Sequence, residues 1–198
     1  DFTTGQISIG VSHTRGRFLL PAILPVYREK FPNIELHLVE GNSSELSTSL
    51  IRGDIDLIID LLPFKAENVE TVTICEEEIL LIVPDQILDS FFPGRQEEIK
   101  SQLKENADVR LLKDCPYLLI NKGNRVRTIA DEIFEDAQIT PSIVLETENI
   151  ETVLALAGKG MGITFYPKMF MSGTGLMTDL PKNKKGLNFY SLPKGRTH

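Results

Sequence analysis

Residues 6–14 read Gln6-Ile7-Ser8-Ile9-Gly10-Val11-Ser12-His13-Thr14, and the reading of this stretch decides the fold. Ile7, Ile9 and Val11 alternate with polar or small residues, the period of two expected of a strand with one buried face. A polar loop follows. From Arg17 onward Leu20, Ile23, Leu24, Tyr27 and Phe31 recur at helical spacing. The run stops at Phe31-Pro32-Asn33, because the residue before a proline avoids the helical region. Pro25 inside it argues against one unbroken helix.

Working outward, Ile34, Leu36 and Leu38 alternate as a second strand. Asn42 and Glu45 then stand at capping-box spacing before a helix carrying Leu46, Leu50 and Ile51, which Gly53 ends. Ile55 to Ile59 is a third, mostly apolar strand. Strand, helix, strand, helix, strand with short connections implies right-handed crossovers and a parallel sheet covered by helices. Further on, Ile79–Val83 reads as a buried strand, Phe91-Phe92-Pro93-Gly94 as a turn and Glu97–Asn106 as a polar helix, within a segment from Asp85 to Asp114 that is otherwise hard to read. The rhythm then resumes: a strand at Tyr117–Ile120, a polar loop at Asn121–Arg127, a helix through Ile129, Ile133 and Phe134, a strand at Ser142–Leu145, a helix capped by Asn149, and strands at Gly162–Tyr166 and Leu187–Leu192. The fold class is therefore α/β, with a second α/β unit after the first.

The composition fits an ordinary globular chain: 198 residues, 41% hydrophobic and 25% charged. No run approaches the roughly 18 consecutive apolar residues of a membrane span. A net charge of -7 opposes direct binding to nucleic acid or anionic membranes. The charge is uneven, with Lys182, Lys184, Lys185, Lys194 and Arg196 clustered in the tail and Glu76, Glu77 and Glu78 adjacent; solvated surface explains both. Cys75 and Cys115 have no CxxC partner or nearby histidine, so no metal site is expected, and both are read as packing thiols. The polar start at Asp1–Gln6 carries no export signal, which points to the cytoplasm and to an excised domain.

In open parallel sheets, ligands sit beyond the carboxyl ends of the strands, where loops lead into helices. Three loops qualify: Ser12, His13 and Thr14; Gly123, Asn124, Arg125 and Arg127 after Asn121; and Thr147 and Asn149 around Glu148. Helix amides, hydroxyls and an arginine fork there suit a carboxylate. Ordinary capping explains any one of these residues equally well. Catalysis finds little support, since His37 lies in a strand, His198 is terminal, and adjacency to Ser12 does not make His13 a base. Gly158, Gly160 and Gly162 follow a helix and open a strand, the reverse of a phosphate loop, so helix termination and close packing are their expected work.

Residues 6–14, Leu19-Leu20-Pro21 through Phe31-Pro32, Val39–Ser43 with Leu46, Gly53–Leu57, Ile82-Val83-Pro84, and Asn149–Glu151 through Gly160–Ile163 together resemble the effector-binding domain of LysR-type transcriptional regulators. The resemblance implies two Rossmann-like lobes of the type 2 periplasmic-binding-protein kind, with a ligand cleft between them. It places residues 1–83 plus 164–198 in lobe I and 84–163 in lobe II, with crossovers near Pro84–Gln86 and Ile163–Phe165. It gathers Ser12, Thr14, Gly123, Arg127 and Asn149 around the cleft. The stretch Asn121–Arg127, with Glu146–Asn149, is similar to the branch of the citrate-responsive catabolite control protein, where Arg125 and Arg127 would meet a polycarboxylate.

The implied function is effector sensing: a small anionic metabolite controls DNA binding by an N-terminal winged helix-turn-helix domain that this chain does not contain. No cofactor, metal or membrane is implied. A homodimer or tetramer is, formed in part by the first helix with its Leu19, Leu20 and Ile23 face. A transport receptor and a prephenate dehydratase-like enzyme share the fold and are the alternatives. Two departures from the family pattern stand out: a longer segment from Asp85 to Asp114, and an end soon after Leu187–Leu192, as if truncated.

Overall fold

The computed structural model describes residues 4–62, 64, 66, 68–171 and 186–192. The basic side chains noted in the tail lie outside them. The chain divides into two compact units, residues 1–74 with 123–125, and residues 75–122 with 126–198.

In the first unit, β1 (Gly5–Val11) is the middle strand of a parallel sheet in the order β2-β1-β3, flanked by β2 (Ile34–Glu40) and β3 (Leu57–Ile59). Helices α1 (His13–Lys30) and α2 (Ser43–Arg52) make the two crossovers. The alternation predicted this strand, and Ile9 and Val11 are buried with Leu20, Leu46 and Ile55, but Gly10 between them is buried too, so burial itself does not alternate. Helix α2 carries the full capping box, with the Asn42 side chain accepting from the Glu45 N–H and the Glu45 carboxylate accepting from the Asn42 N–H, both at 3.0 Å. It ends on Gly53 at φ 77°, a left-handed conformation that glycine adopts without strain.

Two expectations need correction here. Helix α1 begins at His13, inside the expected polar loop, and runs unbroken through both Pro21 and Pro25. The two prolines stand four residues apart on the exposed side, so the carbonyls they leave unbonded face water, and the buried side of the helix is undisturbed. β3 is also shorter than the apolar run Ile55–Ile59 suggested.

The second unit holds two sheets. β4 (Ile79–Pro84), buried along its whole length, lies between β7 (Thr164–Pro167) and β8 (Leu187–Ser191), and both pairings are antiparallel. β5 (Pro116–Ile120) pairs in parallel with β6 (Ser142–Thr147). The stretch before β7 continues this second sheet: the Leu118 N–H donates to the Ile163 carbonyl and the Ile163 N–H to the Pro116 carbonyl, both at 2.8 Å. Gly162 permits the approach, since a Cβ there would lie 2.9 Å from both Leu118 Cγ and the Pro116 oxygen. Close packing is thus what this glycine provides.

Around the sheets stand α3 (Asp85–Phe91), α4 (Gln96–Asn106), α5 (Arg125–Ala137) and α6 (Ile150–Ala157). Tyr117, Phe134 and Phe165 form an aromatic cluster in the core, with edge contacts at centroid distances of 4.9 and 5.6 Å. In the long segment after Asp85, the Asp85 Oδ1 accepts from Asn188 Nδ2 of β8 at 2.8 Å and from Lys100 Nζ of α4 at 3.0 Å, and Ile87, Leu88, Ile99 and Leu103 are buried. Cys115 is buried, and burial pushes its thiol up to about 12, so it is inert packing. Cys75 is exposed and does not fill the packing role expected of it. Among the described residues no helix is long and apolar enough to cross a membrane.

Candidate functional site

In a sheet ordered β2-β1-β3, the chain leaves β1 towards one side and β3 towards the other, so their carboxyl ends flank a topological switch point. Ser12 lies there. It is the N-cap of α1, with an extended backbone (φ -69°, ψ 147°) suited to capping, yet its side chain makes no capping bond. The first hydrogen bond of the helix runs from the Gly16 N–H to the Ser12 carbonyl at 2.8 Å, so the amides of His13 and Thr14 have no acceptor within the helix. The starts of α3 and α4, at Pro84 and Arg95, likewise lack a side-chain cap, whereas those of α2 and α6 have one. Asn42 and Glu45 cap α2, and Asn149 caps α6 by accepting from the N–H groups of Glu151 and Thr152 at 2.9 and 3.3 Å.

Side chains around Ser12 tie the three strand ends of this unit together. Arg15, only 6% exposed, donates from Nη1 to Asp60 Oδ1 at 3.1 Å, just beyond β3. The same nitrogen lies 3.5 Å from Ser12 Oγ, at the long end for a hydrogen bond. His13 Nδ1 lies 3.1 Å from Glu40 Oε1 at the end of β2, an exposed pair. The Ser12 and Thr14 side chains are half-buried. Gly123, Asn124 and Arg125 count with this unit: the Gly123 carbonyl accepts from the Ser44 N–H of α2 at 3.1 Å, and Arg125 Nε donates to the Leu62 carbonyl at 3.4 Å.

The remaining candidates belong to the second unit, at the carboxyl ends of β5 and β6. Arg127 is 4% exposed. Its Nε donates to Asp131 Oδ1 at 2.8 Å, and its Nη1 donates to the Ile120 carbonyl at 3.1 Å and to the Glu146 carboxylate. Burial works against its charge, but the bonds to Asp131 and Glu146 outweigh that and raise its pKa. The Thr147 carbonyl accepts from the Asn121 N–H at 2.8 Å, and Thr147 Oγ1 accepts from the Asn149 N–H at 3.3 Å.

Ser12, His13 and Thr14 are therefore adjacent at one helix start, and Arg127, Thr147 and Asn149 share the end of the β5–β6 pair. Arg15, Asp60, Glu40, Asp131 and Glu146 were missed as partners of these residues. Asp131 stands at i+4 from Arg127, a spacing that pairs opposite charges on a helix. Nothing local in the sequence joins Arg15 to Asp60.

Residues 1–181 match the family model described as the LysR substrate binding domain. The chain is 33% identical over 166 residues to the uncharacterized HTH-type transcriptional regulator YybE of Bacillus subtilis, an alignment that covers 83% of this chain and 52% of that protein. It thus spans about half the length of the curated relatives it matches. Among solved structures, it is similar to the effector-binding domain of QuiR in complex with shikimate (TM-score 0.71, 16% identity, 97% of this chain and 82% of that one). It is also similar to the regulatory domain of Synechocystis PCC6803 CcmR in complex with 2-PG (TM-score 0.72, 19% identity, 94% and 80%). The fold is that of these domains, α/β and periplasmic-binding-protein-like.

Proposed function

The chain belongs to the family of LysR substrate-binding domains, and from that premise we propose that it senses a small anionic metabolite, a carboxylate, on behalf of a transcriptional regulator whose DNA-binding domain lies outside this chain. The observation that carries the reading is the start of α1. At the switch point between β1 and β3, a long helix presents first-turn amides that its own N-cap serine leaves uncapped. Such amides, with the positive end of the helix dipole, hold an acceptor-rich anion.

Ser12, His13 and Thr14 are the primary ligand-binding residues of this proposal, with Gly123, Asn124 and Arg125 beside them in the same unit, and Thr147, Asn149 and Arg127 as the set from the second unit. The assignment of 1–83 with 164–198 to one lobe, and of 84–163 to the other, is part of it. The shikimate complex of QuiR and the 2-PG complex of CcmR support a small-molecule ligand. Citrate is the first candidate for this chain, on the resemblance of Asn121–Arg127. The regulators among its relatives favour sensing over catalysis or transport, and the cytoplasm as its compartment.

Self-association is the second part. On α1, Ile23 and Val26 are exposed, as are Leu38 and Val39 on β2. The i, i+3 pair Ile23 and Val26 on α1 suits burial against a second copy.

A thermal-shift screen of citrate, isocitrate, shikimate, and aromatic and amino acids tests the sensing function. Stabilisation that grows with the concentration of one acid is the expected result. A response only to uncharged or cationic compounds would overturn the anion reading.

A further inference from the structure

The guanidinium of Arg127 already has acceptors on three different elements: Asp131 in α5, the Ile120 carbonyl at the end of β5, and Glu146 in β6. It is 4% exposed, while the Asp131 and Glu146 side chains are 46% and 47% exposed. Solvent therefore meets the two carboxylates, and the cation lies behind them. One positive and two negative charges leave this cluster net negative, which is a poor seat for an anion.

What the cluster does hold is the end of β6. Glu146 is followed at once by Thr147, whose carbonyl accepts from the Asn121 N–H and whose hydroxyl accepts from the Asn149 N–H. Asn149 in turn caps α6. Without the Arg127–Glu146 bond, the end of β6 would keep its backbone pairing and the packing of Leu145 against Leu118, Val153 and Ala157, but Glu146, next to Thr147, would lose its side-chain tether.

We propose that Arg127 is a positioning residue, which fixes Glu146 to the end of β5 and thereby sets the geometry of Thr147 and Asn149, and which does not touch the ligand. This rests on the ligand-site reading above and changes one role within it. The planar fork is needed, because a lysine ammonium cannot serve acceptors on three elements in the same geometry.

Three variants of the chain separate the possibilities: Arg127→Lys, Glu146→Gln, and the double variant Arg127→Met/Glu146→Met. Amide hydrogen exchange is read at Asn121, Glu151 and Thr152, whose N–H groups bond to Thr147 and Asn149. Affinity for citrate and shikimate is read in parallel. The expected result is exchange at these three amides about tenfold faster or more in each single variant, with β4 and α4 unchanged. Any acid that binds the wild type should bind Arg127→Lys and Glu146→Gln more weakly by a similar factor.

A direct contact between Arg127 and the ligand predicts the opposite for Glu146→Gln, which removes a competing negative charge from beside the guanidinium and would leave binding unchanged or tighter; that result would overturn the proposal. Exchange that rises evenly throughout the second unit would reduce Arg127 to general stability and would also overturn it. Unchanged exchange at the three amides overturns it whether or not either acid binds, whereas faster local exchange with no acid bound would count against the ligand reading alone.

Discussion

Arg15 and Asp60 form a buried ion pair, 3.1 Å between Nη1 and Oδ1, that joins the first turn of α1 to the residue just beyond β3. The two side chains are 7% and 10% exposed, so each charge depends on the other for the solvation it has lost. Removing one partner leaves the other without its countercharge, although Asp60 Oδ1 still accepts from the Leu61 N–H at 2.8 Å. Arg15→Met should therefore destabilise the domain by about 3 kcal/mol or more, while Arg15→Met/Asp60→Leu should recover most of that loss. Urea unfolding of the three proteins measures it, and a double variant no more stable than the single one would contradict the pairing.

Gly162 lies where the chain passes close to β5. A Cβ there would need Leu118 to shift and would press on the Pro116 oxygen, 2.9 Å away, which the backbone cannot easily yield. Gly162→Ala should cost about 1–3 kcal/mol by overpacking. Gly53→Ala is a different case, since open space surrounds the site and the strain is that of φ 77° alone. Thermal denaturation of both variants would show whether packing or conformation governs each site; equal stability of Gly162→Ala and wild type would contradict the close approach.

Asp85 should mark the acid limit of the second unit. The Asn188 amide, and then Lys100, hold its carboxyl below the ordinary value of 3.8 against the opposing effect of burial. With the folded-state value depressed, its contribution is fully present above that pH and is lost as pH falls through the lower folded-state value. The difference in melting temperature between wild type and Asp85→Asn should accordingly be constant near neutrality and shrink below about pH 4. A difference that does not change with pH would show that the carboxylate charge contributes nothing.

Much of the first unit was legible because its signals are local. The capping box of Asn42 and Glu45, the stop at Gly53 and the alternation of Ile7, Ile9 and Val11 each act within a few residues, and so does the cap at Asn149. The antiparallel sheet of β4, β7 and β8 was not legible, since an apolar run such as Ile79–Val83 shows burial but not the direction of its neighbours. α3 was missed because a single buried pair, Ile87 and Leu88, is too short to show a helical period. The candidate site divides in the same way. Ser12 and Asn149 announce themselves as helix caps, but only folding reveals that Asn149 caps and Ser12 does not. Arg127 was visible as a charge; its partner Glu146 stands 19 positions away, and the bond forms only because β5 and β6 pair.

The proposed self-association would use the exposed side of α1. Val26 is 65% exposed and Ile23 42%, apolar area that a second copy would cover. Sedimentation should find the wild-type chain associated, and Val26→Glu should weaken that association about tenfold or more. A wild type that stays monomeric at the highest attainable concentration would contradict the proposed interface.

The most direct measurement is calorimetric titration of wild type and Ser12→Ala with the acid that stabilises the domain most, and with the primary amide of that acid. An anion seated on the amides of α1, with the Ser12 hydroxyl as a further donor, loses one charge-assisted hydrogen bond in the variant, worth about 1.5–3 kcal/mol. The expected result is binding of the acid but hardly of its amide, and affinity lower by about tenfold or more in Ser12→Ala. Equal affinity of both proteins for the acid, or equal affinity of the wild type for the acid and its amide, would contradict an anion site at the start of α1.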